Sequence, residues 1–347
     1  MARLPRRRFL AAAAAVLAAP AFLRAQPRRT IVDAAGREVR IPAGVERIYA
    51  AGPPASILAF ALVPDKLLGW TAPLLSAERP FIPAKYADLP ALGRLTGRGS
   101  TANVEVVVAA KPDLVFDYGS VKPTIASLAD RVQAATGIPY LLLDGAFDRM
   151  PHALRLLGDI AGERARGEEW ARYAQAILDD VAARVSDIPP GERVRVYYGR
   201  GPSGLSTGLA GSINVEVLER VGAANVAAEL GRGGLVQVSI EQVLAWDPDA
   251  IVTADPQFYA AARQEPIWAR VSAVRSGRVY LAPGLPFGWI DFPPSINRLL
   301  GLRWLGKVLY PARFAEPLRP FVRDFYVRAY HRAPTEAQLD RLLGDLA

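Results

Sequence analysis

From residue 27 onward, short runs of β-branched and aromatic residues alternate with longer stretches whose apolar positions recur every three or four residues. The short runs predict strands at 47–51, 114–116, 140–143, 194–198, 250–253 and 279–282. The longer ones predict helices at 55–62, 104–110, 124–136, 211–221, 240–245 and 295–309. Such alternation packs as parallel sheets covered by helices, an α/β fold. Between the two halves, Trp170, Tyr173, Ile177, Val181 and Val185 form one apolar stripe, and Pro189-Pro190-Gly191 ends it. At ~1.5 Å per residue a helix of about 25 residues spans about 38 Å, enough to cross the back of two lobes.

Two segments repeat each other. Asn103-Val104-Glu105 leads through a short helix to Pro112-Asp113 and an apolar strand. Ser239-Ile240-Glu241 leads in the same way to Pro248-Asp249 and a second strand. Each Pro lies seven residues after its Glu and each Asp eight, so a helix stops and a buried strand begins. The spacing of the copies is that of a domain, not of a solenoid. The chain therefore divides into an N-terminal α/β lobe (26–161), a linker helix (162–189) and a C-terminal α/β lobe with a helical tail (190–347).

Of 347 residues, 51% are hydrophobic and 22% charged, enough for a sizeable core. The net charge of +8 is uneven, because Arg3, Arg6, Arg7, Arg8 and Arg24 supply five of it. The remainder carries no basic run of the kind that binds nucleic acid. Arg6-Arg7-Arg8-Phe9-Leu10, a 13-residue apolar stretch and Ala25 read as a cleaved export signal over residues 1–25. The arginine pair is twin-arginine-like, and both folded and unfolded export stay open. That stretch is shorter than a spanning helix requires. Absence of Cys excludes disulfides, thiolate metal sites, thiol catalysis and an N-terminal lipidated Cys. These points predict a protein of the Gram-negative periplasm. Two His, at 152 and 331, both expected at the surface, leave little for a His-based metal site or triad.

The chain resembles the substrate-binding proteins of the iron-siderophore/cobalamin ABC importer family. The resemblance rests on Val32-Asp33-Ala34-Ala35-Gly36-Arg37-Glu38-Val39, Asp65-Lys66-Leu67-Leu68-Gly69, the Asn103 to Val115 segment and Val238-Ser239-Ile240-Glu241. It runs from about Ile31 to Leu309. It implies two Rossmann-like lobes joined by a single long α-helix, with ligand held in the cleft between them. It also implies a monomer that hands ligand to an ABC permease dimer driven by a cytoplasmic ATPase. Glu105 and Glu241 match the two surface glutamates that pair with permease arginines in that family.

In open α/β lobes ligands sit beyond the C-terminal ends of strands. Loops there predict ligand contacts at Trp70, Arg94, Arg98, Tyr118, Tyr198, Arg200, Arg232, Phe258, Tyr259, Trp289 and Asp291. Aromatic faces with arginines suit a large anionic ligand. A ferric siderophore or similar iron chelate fits, with no resident cofactor or metal. Molybdate or tungstate, cobalamin and haem stay open on the same scaffold. A periplasmic hydrolase is the rival of another class; Asp255 and Asp291 would be its acid/base pair, though no Gly-x-Ser-x-Gly elbow occurs.

Overall fold

The computed structural model describes residues 27–97 and 99–346, so the export segment and Arg98 lie outside the described residues. The N-terminal half opens with an antiparallel hairpin, β1 (Arg28–Val32) and β2 (Glu38–Pro42). It continues with β3 (Ile48–Ala50), β4 (Leu114–Gly119) and β5 (Tyr140–Asp144), a parallel sheet in that order. Ile48 lies opposite Leu114, and Val115 opposite Tyr140. The second half supplies β6 (Arg195–Gly199), β7 (Ser206–Gly208), β8 (Ala224–Asn225), β9 (Leu235–Gln237), β10 (Ala250–Thr253) and β11 (Val279–Leu281). Of these, β11, β10, β6 and β8 stand side by side and parallel, while β7 and β9 pair as a separate antiparallel ribbon. The fold is thus α/β with two parallel sheets, as expected, and all six expected strands are present.

The internal repeat recurs in atomic detail. The helices Val104–Ala110 and Ile240–Trp246 are capped by Asn103 Oδ1, which accepts from the Val106 N–H at 3.0 Å, and by Ser239 Oγ, which accepts from Gln242 at 3.2 Å. Each helix ends on a left-handed residue, Lys111 or Asp247. Arg47 and Arg195 each turn a guanidinium onto the last carbonyls of their helix, at Ala110 (2.7 Å) and Trp246 (2.6 Å). Cations at a helix C-terminus are favoured by its dipole and its free carbonyls. The aspartates of the two Pro-Asp pairs accept from the residues that open β3 and β6.

Local chemistry overrode periodicity at several points. The expected helix at 211–221 reduces to Glu216–Arg220, because Gly211 is left-handed and Ser212 and Asn214 bond each other in a turn. The expected helix at 295–309 starts at Arg298, where Ser295 Oγ accepts from Asn297 instead of from a helical turn. Residues 256–264, read as part of a loop, form a helix whose N-terminal N–H groups donate to Asp255.

The helix Arg164–Val185 lies in sequence between the two sheets and buries Trp170, Ala174, Ile177 and Val181. Its 22 residues span about 33 Å. The helix Leu318–Tyr330, next to last in the chain, does not stay with the second sheet. It packs on helix Pro53–Leu62 of the first half, with Tyr330 stacked 6.5 Å from Phe60. His331, expected at the surface, is half-buried there: Nε2 lies 2.9 Å from the Phe60 carbonyl and Nδ1 3.2 Å from Arg166. His152 is exposed.

An ion pair of the second half fastens the halves through its hydrogen bonds to the first. Arg298, with no exposed surface, donates to Glu216 at 2.6 Å and to the Gly145 carbonyl, across the divide. Glu216 accepts from the Phe147 N–H at 3.0 Å, and the guanidinium lies 4.4 Å from the Phe147 ring. Every strong donor and acceptor of the pair is thereby matched.

Replacing Arg298 with Met takes from the largely buried Glu216 carboxylate its main cation and leaves it the Phe147 N–H and a more distant Arg220. Urea denaturation is expected to show a loss of about 3–5 kcal/mol. Burial, and then Arg166, depress the His331 pKa below its ordinary 6.5, against the Phe60 carbonyl, which favours the cation. The unfolded chain therefore takes up the proton first, so this residue's contribution is intact above 6.5 and falls as the solution is acidified below it. Thermal melts between pH 7.5 and 5 should show a loss that His331→Asn reduces.

Candidate functional site

A cavity of about 740 Å³ opens between the two halves. Its first wall carries Trp70, Leu75, Thr96, Asp117 and Tyr118; its second carries Arg200, Asn214, Leu235, Phe287, Asp291 and Phe292. Asp117 and Tyr118 sit near the C-terminal end of β4, and Arg200 directly follows β6. The cavity therefore lies where open α/β sheets place their ligands.

Asp291 organises the second wall. Buried to 1% exposure, it receives Arg200 Nε at 2.5 Å, Asn214 Nδ2 at 2.9 Å, the Phe292 N–H at 2.8 Å and the Tyr198 hydroxyl at 3.4 Å. Only Nε of Arg200 is taken by this bond, and among the described residues its two terminal nitrogens meet no acceptor. Phe292, left-handed at φ +59° and half exposed, covers that guanidinium at 4.5 Å. An aromatic face over a pinned guanidinium makes a stacking surface with donors at its edge.

On the first wall the Trp70 indole donates to the Tyr86 carbonyl at 2.8 Å and packs 5.7 Å from Phe287. Burial pushes the Tyr118 hydroxyl up to about 12, and it has no hydrogen-bond partner among the described residues. Arg94, half-buried, donates Nε to the Gly99 carbonyl at 2.7 Å and faces the cavity. Burial also drives the carboxyls of Asp117 and Glu78 upward, the first opposed by Thr96 and the Tyr118 N–H, the second by the Leu75 N–H.

Of the residues predicted to meet ligand, Trp70, Arg94, Tyr118, Arg200 and Asp291 stand in the cavity wall. Tyr198 stands just behind it, through Asp291. Four others stand elsewhere. Phe258 is fully buried against Trp268 and lies over Gly199 and Gly204, where any Cβ would approach within 2.2 Å of its ring. Tyr259 packs on that same core under the Arg263 guanidinium. Trp289, with no exposed surface, donates to Tyr326 at 3.3 Å inside the main core. Arg232 is exposed and outside the lining, and the N–H of neighbouring Gly233 is committed to the Ala210 carbonyl. Among the described residues the charges of the cleft are balanced and not arginine-rich: Arg94, Lys122 and Arg200 face Glu78, Asp117 and Asp291.

Asp117, Asn214 and Phe292 escaped the sequence reading. Asp117 and Phe292 belong to segments that it did assign to the cleft, but nothing in one sequence says which side chains of a loop turn inward. The hydrolase pair does not assemble, because Asp255 is a helix cap outside the lining and Asp291 is saturated by donors. Among the described residues no three His, Asp or Glu side chains converge to hold a metal, and no helix is long and apolar enough to cross a membrane. Glu105 and Glu241 occupy the second positions of their helices, both exposed.

The family model described as periplasmic binding protein matches residues 82–285. The molybdate-binding protein MolA of Haemophilus influenzae is 28% identical over 336 residues, 87% of this chain and 91% of that one. Its molybdate-bound structure superposes with a TM-score of 0.72 at 25% identity, covering 88% and 99% of the two chains. An ABC transporter solute binding protein from Sulfurospirillum deleyianum reaches a TM-score of 0.82 at 30% identity, covering 90% and 98%. A vitamin B12-binding protein of Salmonella typhi is 32% identical over 177 residues, 49% of this chain and 63% of that one. Two parallel sheets, a cavity between them and these similarities agree: the chain belongs to the periplasmic binding protein family, as a substrate-binding component of an ABC transporter and not an enzyme.

Proposed function

We propose that this chain captures a bulky metal chelate of the ferric siderophore class and presents it to its permease. One observation carries the reading: the cavity of about 740 Å³ is walled by Trp70, Phe287, Phe292 and several prolines, with the Arg200 fork uncommitted. Such a volume is that of a drug-sized ligand, held by apolar contact and oriented by a few polar groups. A compact tetrahedral oxyanion would leave most of it unfilled.

A second reading, molybdate or a like oxyanion, is favoured by the similarity to the Haemophilus protein over most of both chains. The terminal nitrogens of Arg200 would be its natural donors. Cobalamin has weaker support, since the vitamin B12-binding relative matches half of this chain.

Docking to the permease is assigned to Glu105 and Glu241. Both are exposed, each sits in the first turn of a helix, and they stand on separate halves of the molecule. The Glu241 carboxyl is held below its ordinary range by its own N–H and by Ser239, which keeps it ionised. Two fixed carboxylates set the orientation of an encounter with a basic partner and speed it.

Tryptophan fluorescence of the mature protein should be quenched saturably by one ferric complex among catecholate, hydroxamate and citrate forms, with Trp70→Phe losing most of the signal. Quenching by molybdate alone would replace the cargo. In cells lacking the native gene, Glu105→Arg with Glu241→Arg should abolish uptake at least tenfold while purified protein binds ligand unchanged; unchanged uptake would remove the docking assignment.

A further inference from the structure

The cavity contains a carboxylate, Asp117, that meets two neutral donors and, among the described residues, no cation. Asp117 Oδ1 accepts from the Tyr118 N–H at 2.9 Å, and Thr96 Oγ1 lies beside it, close to Gly52. No ion pair or side-chain cation reaches it among the described residues, although Arg94, Lys122 and Arg200 line the same space. Of the two other cavity acids, Asp291 is paired with the Arg200 cation, whereas Glu78, nearer the rim, accepts the Leu75 N–H at 2.7 Å. Helix Pro53–Leu62 offers Asp117 little help, since Pro53 and Pro54 remove two of the N–H groups that its first turn would otherwise present.

A half-buried carboxylate that meets only neutral donors keeps its charge unmatched, and the cost is relieved when a further donor arrives or when the group takes a proton. An anion that carries no proton offers neither relief and adds repulsion. We infer that Asp117 is a specificity-determining residue: it admits ligands that turn a hydroxyl, amide N–H or ammonium group toward the first wall and bars proton-free oxyanions. Selectivity of this kind works through the penalty on the wrong ligand as much as through attraction of the right one. The cavity is thus polar in a chemical sense. Its second wall offers the Arg200 donors, its first wall an acceptor, and a ligand with both groups satisfies both at once. The inference rests on the chelate reading for the identity of the cargo, but its test does not.

The probe is sodium molybdate, a dianion with no proton to donate at neutral pH, titrated calorimetrically at low ionic strength into wild type, Asp117→Asn and Asp117→Ser. Removing one negative charge inside a cavity of this size is expected to raise molybdate affinity about tenfold in both variants, with melting temperatures confirming that each is folded. Either variant, folded, gaining that affinity supports the inference; neither binding molybdate better than wild type overturns it. Ferric complexes are titrated into wild type alongside. Their failure to bind would end the chelate reading, while the molybdate ratio would still decide the role of Asp117.

Discussion

The ion pair of Arg298 and Glu216 holds the architecture in register. A guanidinium without access to water is tolerable only when its donors and its charge are both answered, and here the answers come from both halves. Parting the halves would strand the Gly145 carbonyl and the Phe147 N–H and bare the ion pair that meets them. The apolar core adds to this constraint, since it runs without a break from Phe60 and Trp70 to Phe287 and Tyr330. Arg298 also stands beside Tyr118, whose ring lines the cavity. The wall that a ligand meets is therefore mounted on the group that joins the halves.

What could be read from the sequence was what short-range chemistry decides. The six strands, the helix stripe from Trp170 to Val185 and the repeat around Glu105 and Glu241 all depend on neighbours a few residues apart, and all are present. Side-chain direction in loops depends instead on contacts distant in sequence. Trp289 and Phe258 looked like tip aromatics, but they plug cores closed by Tyr326 and Trp268, 37 and ten residues further on. The return of the helix Leu318–Tyr330 to the first half left no local trace either. His331 looked like a tail residue because its partners, Phe60 and Arg166, lie far back in the chain. The same limit hid Asn214, whose amide matters only because Asp291 folds against it.

Charge illustrates the difference between composition and placement. Four loop arginines suggested a strongly cationic cleft, yet two of the three that are described reach the cavity and one of these is half neutralised by Asp291. Among the described residues three acids balance three bases around the wall. Such a surface binds by shape, stacking and matched hydrogen bonds, with little long-range pull on anions. It suits a chelate whose own charges are partly internal better than a bare dianion.

The repeat and the cavity obey different symmetries. On the outside the two halves copy each other: the same cap, the same left-handed stop, the same arginine on the helix end and the same exposed glutamate. Inside they diverge. The position equivalent to Asp117 in the repeat is Thr253, fully buried and away from the cavity. The cation of the second wall instead follows β6. A permease assembled from two like subunits asks for a docking face with approximate two-fold symmetry, whereas a ligand with unlike ends asks for unlike walls. On the docking proposed for Glu105 and Glu241, duplication would supply the first at no structural cost. Divergence confined to the loops at the strand ends supplies the second without disturbing the helices that carry the glutamates.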